Sequence, residues 1–120
     1  MQRWSKQFDP AQAKALCAWN QEPSAVYVRV NELMPGAEQT LGVCRIRPGM
    51  GNSLHYHPNC EELLIVQQGA GKHSFDGAWI PLRPGTLIRV PRGVKHNLIN
   101  ESDVEMITWI AFSSGDRQAD

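Results

Sequence analysis

Val26, Val28 and Val30 alternate with Tyr27 and Arg29, and similar short runs of two-residue period recur along most of the chain. Alternation at that period puts one set of side chains on each face of an extended strand. Further strand runs are read at residues 40–47, 53–57, 62–68, 72–75, 79–82, 86–90, 95–100 and 104–112. Gly, Pro, Asn or Asp punctuates most of the gaps, including Pro48-Gly49, Gly69, Pro84-Gly85 and Pro91-Arg92-Gly93. Asp76-Gly77 between two short apolar runs is a strong signal for a tight hairpin. Ahead of this region the pattern differs. Asp9-Pro10 suits a helix start, and residues 11–19 are rich in helix formers, so one short N-terminal helix is expected there, ended by residues 20–23. Residues 1–23 therefore read as a helical lead-in, 24–113 as one β-barrel or sandwich, and 114–120 as a polar, loosely held tail.

Length and charge narrow the partners. The chain has 120 residues, enough for one domain, with 42% hydrophobic and 20% charged residues. Its 12 basic residues balance 12 acidic ones, so no electrostatic ground exists for nucleic acid or an anionic membrane as a partner. The same neutrality eases self-association, and a homodimer is expected. No apolar stretch follows Met1-Gln2-Arg3-Trp4, and no run is long enough for a membrane helix. Cys17, Cys44 and Cys60 are odd in number and widely spaced, which suits reduced thiols; a cytoplasmic location is the expectation.

The chemistry concentrates in one place. His55 and His57, two apart on an extended run, point to the same face. A short turn through Pro58 brings Glu62 back beside them at the start of the next run. Two imidazoles and a carboxylate converging on one point are metal ligands by type. His96, after the Pro-x-Gly bend of Pro91 and Gly93, is a fourth candidate. Glu61 alternates with Glu62 and is read as solvated or paired with a surface cation. His73 lies on a run without a matching partner and is read as structural, and Cys60 as a loop thiol. Tyr27, Arg29, Arg45, Met106, Trp109 and Phe112 lie on strands that could line a barrel mouth, but strand phase alone does not say which face inward. No Gly-x-Ser-x-Gly elbow and no Cys–His pair suggests a nucleophile, so no catalytic residue is assigned.

The two segments around these residues resemble the motifs of the cupin superfamily. Gly49, His55, His57, Glu62 and Gly69 fall at the fixed positions of its first motif, and Gly85, Pro91, Gly93, His96 and Asn100 at those of its second. The resemblance implies a jelly-roll β-barrel. It also implies that His55, His57, Glu62 and His96 bind one divalent transition metal (iron, manganese, nickel, cobalt, copper or zinc), with two coordination positions left for other ligands. Gly49, Gly69, Gly85, Pro91, Gly93 and Asn100 are read as structural. Members of the superfamily include dioxygenases, isomerases, decarboxylases, lyases and cyclases. The expectation is a metal-dependent enzyme acting on a small oxygenated metabolite, such as a sugar, hydroxy acid or phenolic, chelated at the metal. A non-catalytic sugar- or metabolite-binding module is the alternative.

Overall fold

The computed structural model describes residues 5, 7, 14–19, 22–28 and 30–120, with backbone alone for 14–19 and 22–28. Nine strands and one helical turn are described: β1 (Lys14–Trp19), β2 (Glu22–Val28), α1 (Val30–Leu33), β3 (Thr40–Ile46), β4 (Glu62–Gln68), β5 (Gly71–Phe75), β6 (Ala78–Leu82), β7 (Leu87–Val90), β8 (His96–Asn100) and β9 (Met106–Phe112). They form a six-stranded sheet in the order β1-β2-β3-β9-β4-β7 and a three-stranded sheet in the order β6-β5-β8. Every strand pairing is antiparallel. This is the mostly-β architecture expected from the alternating pattern, and the jelly roll that the resemblance implies.

Alternation sets which side chains enter the core. Along β4, Glu62, Leu64 and Val66 are buried while Leu63 and Ile65 are exposed. The register carries that choice across the sheet: Thr40, Phe112 and Glu62 lie abreast, as do Cys44, Thr108 and Val66. Ile46, Leu64, Val66, Ile88, Met106 and Phe112 of the larger sheet pack with Leu82 and Leu98 of the smaller one. The opposite face of the larger sheet shows Leu41, Leu63, Ile65, Leu87 and Trp109 to solvent. Trp109 and Arg45, candidates for the barrel mouth, point outward, where Trp109 Nε1 donates to Gln67 and Arg45 pairs with Glu105 at 2.9 Å. Met106 and Phe112 point inward.

Turn chemistry behaves as the residues dictate. Asp76 (φ 47°) and Gly77 (φ 88°) form the two-residue connection between Phe75 and Ala78 that the Asp-Gly signal predicts. Gly69 (φ 90°) turns the chain from the larger sheet to the smaller, where a Cβ would lie 2.9 Å from the Met106 backbone.

Four expectations need correction. The helix expected at residues 11–19 is not formed over its described part: Lys14–Trp19 is β1, an edge strand paired with β2, and residues 11–13 lie outside the described residues. Helix propensity is worth only about a few tenths of a kcal/mol per residue, and an adjacent strand overrides it. The short helix occurs instead at Val30–Leu33, so Val30 does not continue the strand. Residues 53–57 are extended but join the smaller sheet only through single bridges, Gly51 with Ile99 and His55 with His96. The tail is not loose. Tyr56 and Asp120 exchange two backbone hydrogen bonds of 2.9 Å, and Arg117 is buried with its guanidinium 4.8 Å from the Phe112 ring centre.

Asn100 ties the barrel corner. Fully buried, it donates to the carbonyls of Ile46 (2.9 Å) and Val104 (2.8 Å), and its Oδ1 accepts from Ser102 N (2.9 Å) and Oγ (2.6 Å). Asn100→Ala leaves buried backbone acceptors unpaired, so a loss of about 1–3 kcal/mol is expected. Urea unfolding should show a lower midpoint with an unchanged slope; an unmoved midpoint would refute the structural role.

Candidate metal centre

Three pieces of backbone deliver the clustered side chains: the 53–57 stretch, β4 and β8. His55 is fixed by its bridge to His96, with hydrogen bonds of 3.1 and 2.8 Å. His57 is held from the second motif: Gly93 N donates to its carbonyl at 2.9 Å. Glu62 opens β4 between Val90 and Phe112. His96 opens β8 beside Phe75. His57, Glu62 and His96 are each less than 5% exposed, and His55 is half-buried.

The three imidazoles converge. One ring nitrogen from each of His55, His57 and His96 lies within 4.8 Å of the others. Glu62 stands close by, with Oε1 3.6 Å from His57 Nε2 and Oε2 3.6 Å from His96 Nε2. That separation is too long for a hydrogen bond. The Nε2 atoms of His57 and His96 are in fact buried with no hydrogen-bond partner.

The opposite ring nitrogens explain the arrangement. Nδ1 of His55 meets the Ser53 carbonyl at 2.7 Å, Nδ1 of His96 the Val94 carbonyl at 2.9 Å, and Nδ1 of His57 the Gln118 carbonyl at 2.9 Å. A carbonyl only accepts, so each Nδ1 carries the proton and, in the neutral ring, Nε2 keeps a bare lone pair. This is the orienting hydrogen bond that metal-ligating histidines make. Two orphaned, buried lone pairs facing a buried carboxylate fit a divalent cation.

The protonation states agree. Burial holds the His55 imidazole down to about 4 from its usual 6.5, and burial likewise lowers His96 and His73, so these rings are neutral near pH 7. Burial by itself pushes the Glu62 carboxyl up, but the imidazoles of His57, His96 and His55 outweigh it and hold the group below its usual range. Burial raises the Cys60 thiol, which disfavours the thiolate a metal would need.

The four candidates read from the sequence are thus brought together. Glu61 turns away and pairs with Arg89 at 2.8 Å, as its phase predicts. Cys60 is fully buried and stands outside the histidine cluster. His73, set aside in the sequence reading, belongs to the surroundings of the site. It is buried, and its ring stacks on that of His96 at 5.7 Å and 5°. The missing signal was strand register: His73 lies opposite the inward-facing Leu98, and this follows only once β5 is paired with β8. Arg117 was also missed, because nothing in the polar tail distinguishes it.

A cavity of about 250 Å³ opens onto His55, Glu62, His73 and His96, with Leu64, Leu98 and Ile110 as apolar walls and Arg117 as a cationic one. That volume suits a small metabolite. A larger groove of about 770 Å³ lies elsewhere, along Glu38, Gln39, Glu61 and Ser113, away from the histidines.

Two outcomes follow. Protein refolded with excess cobalt or manganese should hold one metal per chain by elemental analysis; His57→Ala with His96→Ala should abolish this, and Cys60→Ser should preserve it. Unchanged metal in the double variant would refute the site. Acid should destabilise the metal-free protein. His55 has a folded pKa below its unfolded value, so the unfolded chain binds more protons between pH 6.5 and about 4. Stability falls as pH drops through that window, and protonation of Glu62 adds to the loss lower down. Melting temperatures that stay flat or rise from pH 6.5 to 4 would contradict this.

Comparisons with known proteins point the same way. The family profile described as "Cupin domain" fits residues 42–112. The chain is 42% identical over 65 residues to "Protein SchB" of Streptomyces halstedii, an alignment covering 54% of this chain and 47% of SchB. It is 35% identical over 65 residues to "Polyketide synthase CurC" of Streptomyces cyaneus, covering 54% of this chain and 42% of that protein. The aligned region is thus less than half the length of either relative. Among solved structures, an uncharacterised conserved protein with a double-stranded β-helix domain from Klebsiella pneumoniae superposes with a TM-score of 0.73 at 19% identity, over 97% of this chain and 96% of its own. Because the cupin-domain profile spans more than half of the residues and contains both segments that build the histidine cluster, the chain belongs to the cupin family.

Proposed function

We propose that this chain is a metal-dependent cupin enzyme acting on a small oxygenated metabolite. The observation that carries the reading is the pair of buried, unpartnered imidazole lone pairs of His57 and His96, facing Glu62 beside a cavity that His55 and His96 both line. His55, His57, His96 and Glu62 would hold the metal, which supplies Lewis acidity at the cavity floor. The cavity's mixed lining favours catalysis over a closed structural site.

The surrounding residues define what the ligand must offer. Arg117 keeps its charge at any working pH and, as a wall of the cavity, would favour a ligand oxygen bearing negative charge. Leu64, Leu98 and Ile110 exclude water, which strengthens every polar contact inside. A hydroxy acid, which is anionic when free, or a phenolic or hydroxy-ketone that gains negative charge on oxygen when bound, meets both demands. The relative named as a polyketide synthase supports the phenolic or hydroxy-ketone end of that range.

The test is a titration of cobalt-loaded protein with catechols, hydroxy acids, hydroxy-ketones and simple sugars. Chelating ligands should shift the cobalt absorption, and conversion should require metal. On fully metal-loaded protein, Arg117→Gln should weaken the anionic ligands about tenfold or more, in line with loss of a charge-assisted hydrogen bond. Ligands that bind without perturbing the cobalt spectrum would contradict the reading.

A further inference from the structure

His57 differs from its two companions in one respect. The carbonyl that fixes His55 belongs to Ser53 and the one that fixes His96 belongs to Val94, each two residues away on the same stretch of chain. The carbonyl that fixes His57 belongs to Gln118, 61 residues further on. Two of the three tautomers are therefore set locally, and the third depends on where residues 116–120 lie.

Several contacts of those residues converge on the turn that carries His57. Asn59 grips the segment with both ends of its amide: Oδ1 accepts from Gln118 N at 3.0 Å, and Nδ2 donates to the Asp116 carbonyl at 2.6 Å and to Ser114 Oγ at 3.4 Å. Tyr56 and Asp120 exchange backbone hydrogen bonds of 2.9 Å in both directions. Ser113 and Ser114 are anchored separately on the barrel, through Glu61 and Thr40. Gly115 is pressed against Ala37, where a Cβ would lie 2.2 Å from the carbonyl oxygen. The chain is thus pinned up to Gly115, and beyond it only Arg117 adds a buried side chain.

We propose that residues 116–120 are a working part of the metal centre. Gln118 holds His57 in its metal-binding tautomer, and Asn59 is the positioning residue that holds Gln118. The inference rests on the metal reading above. Neither residue touches the cation; both act through His57. The segment is held by these hydrogen bonds and by one buried side chain, Arg117, and a short surface segment of this kind opens at lower cost than the barrel unfolds. Once it opens, His57 Nδ1 loses its acceptor and the ring is free to place its proton on Nε2, the nitrogen that must be bare. Metal affinity is then linked to docking of the segment, and by reciprocity a bound metal favours the docked state.

The test separates this linkage from the metal reading itself. Nitrogen-15 spectra of the metal-free chain report the His57 tautomer directly, and cobalt titration reports affinity. In the intact chain His57 should be in the Nδ1–H form. In Asn59→Ala, and in a chain shortened to end at Gly115, it should become a mixture of tautomers, with cobalt affinity reduced about 10- to 100-fold, as for other outer-shell partners of metal-bound histidine. Asn59→Asp keeps the acceptor for Gln118 N but loses the donor to Asp116, and should fall between. If the tautomer shifts while the intact chain takes up no cobalt, the metal reading fails and the positioning role stands. If Asn59→Ala and the shortened chain lose thermal stability but keep the wild-type tautomer and cobalt affinity, the contacts are merely structural and the inference is overturned.

Discussion

Three imidazoles that each donate a proton outward to a backbone carbonyl leave three lone pairs facing inward, and the rest of the site follows from that constraint. Such lone pairs are costly in a protein interior. A buried acceptor without a partner is destabilising by about 1–3 kcal/mol, and the Nε2 atoms of both His57 and His96 are in that position. Glu62 does not relieve them, since an ionised carboxylate has no hydrogen to give. Its negative charge is itself buried and, at 3.6 Å from each ring, lies opposite the same space. One cation would answer all of these groups together.

The barrel is organised to keep that arrangement rigid. His55 and His96 lock each other through a backbone bridge, so neither ring moves without the other strand. Gly93, left-handed at φ 80°, reaches back to the His57 carbonyl and ties the second motif to the first. Phe112 packs edge-on against the His57 ring at 4.9 Å and lies abreast of Glu62 in the larger sheet. Each ligand candidate is therefore positioned by an element that also positions another. Support of this kind keeps a constellation in working geometry.

Much of this was legible in the sequence because it depends on short-range pattern. Alternation located β3 through β9 to within two residues, and Asp76-Gly77 announced its turn. The spacing of His55, His57 and Glu62, with His96 placed by the second motif, gave the cluster that the fold assembles. What escaped was decided by long-range pairing. Residues 14–19 favour a helix by composition but lie beside β2, and the neighbouring strand prevails. His73 looked isolated until β5 paired with β8 and its ring stacked on His96. Arg117 and Gln118 sit in a polar stretch that resembles any loose end, and their partners Phe112, His57 and Asn59 are distant or turn-bound in sequence.

On the proposed reading, the inward lone pairs and the Glu62 carboxylate share one ion. X-ray absorption at the metal edge of the reconstituted protein tests it most directly, because it counts and types the atoms bound to the ion. The expected result is a nitrogen and oxygen shell with the outer-sphere scattering of three imidazole rings and no sulfur. A shell containing sulfur, or one lacking imidazole scattering, would place the metal on other residues and contradict it.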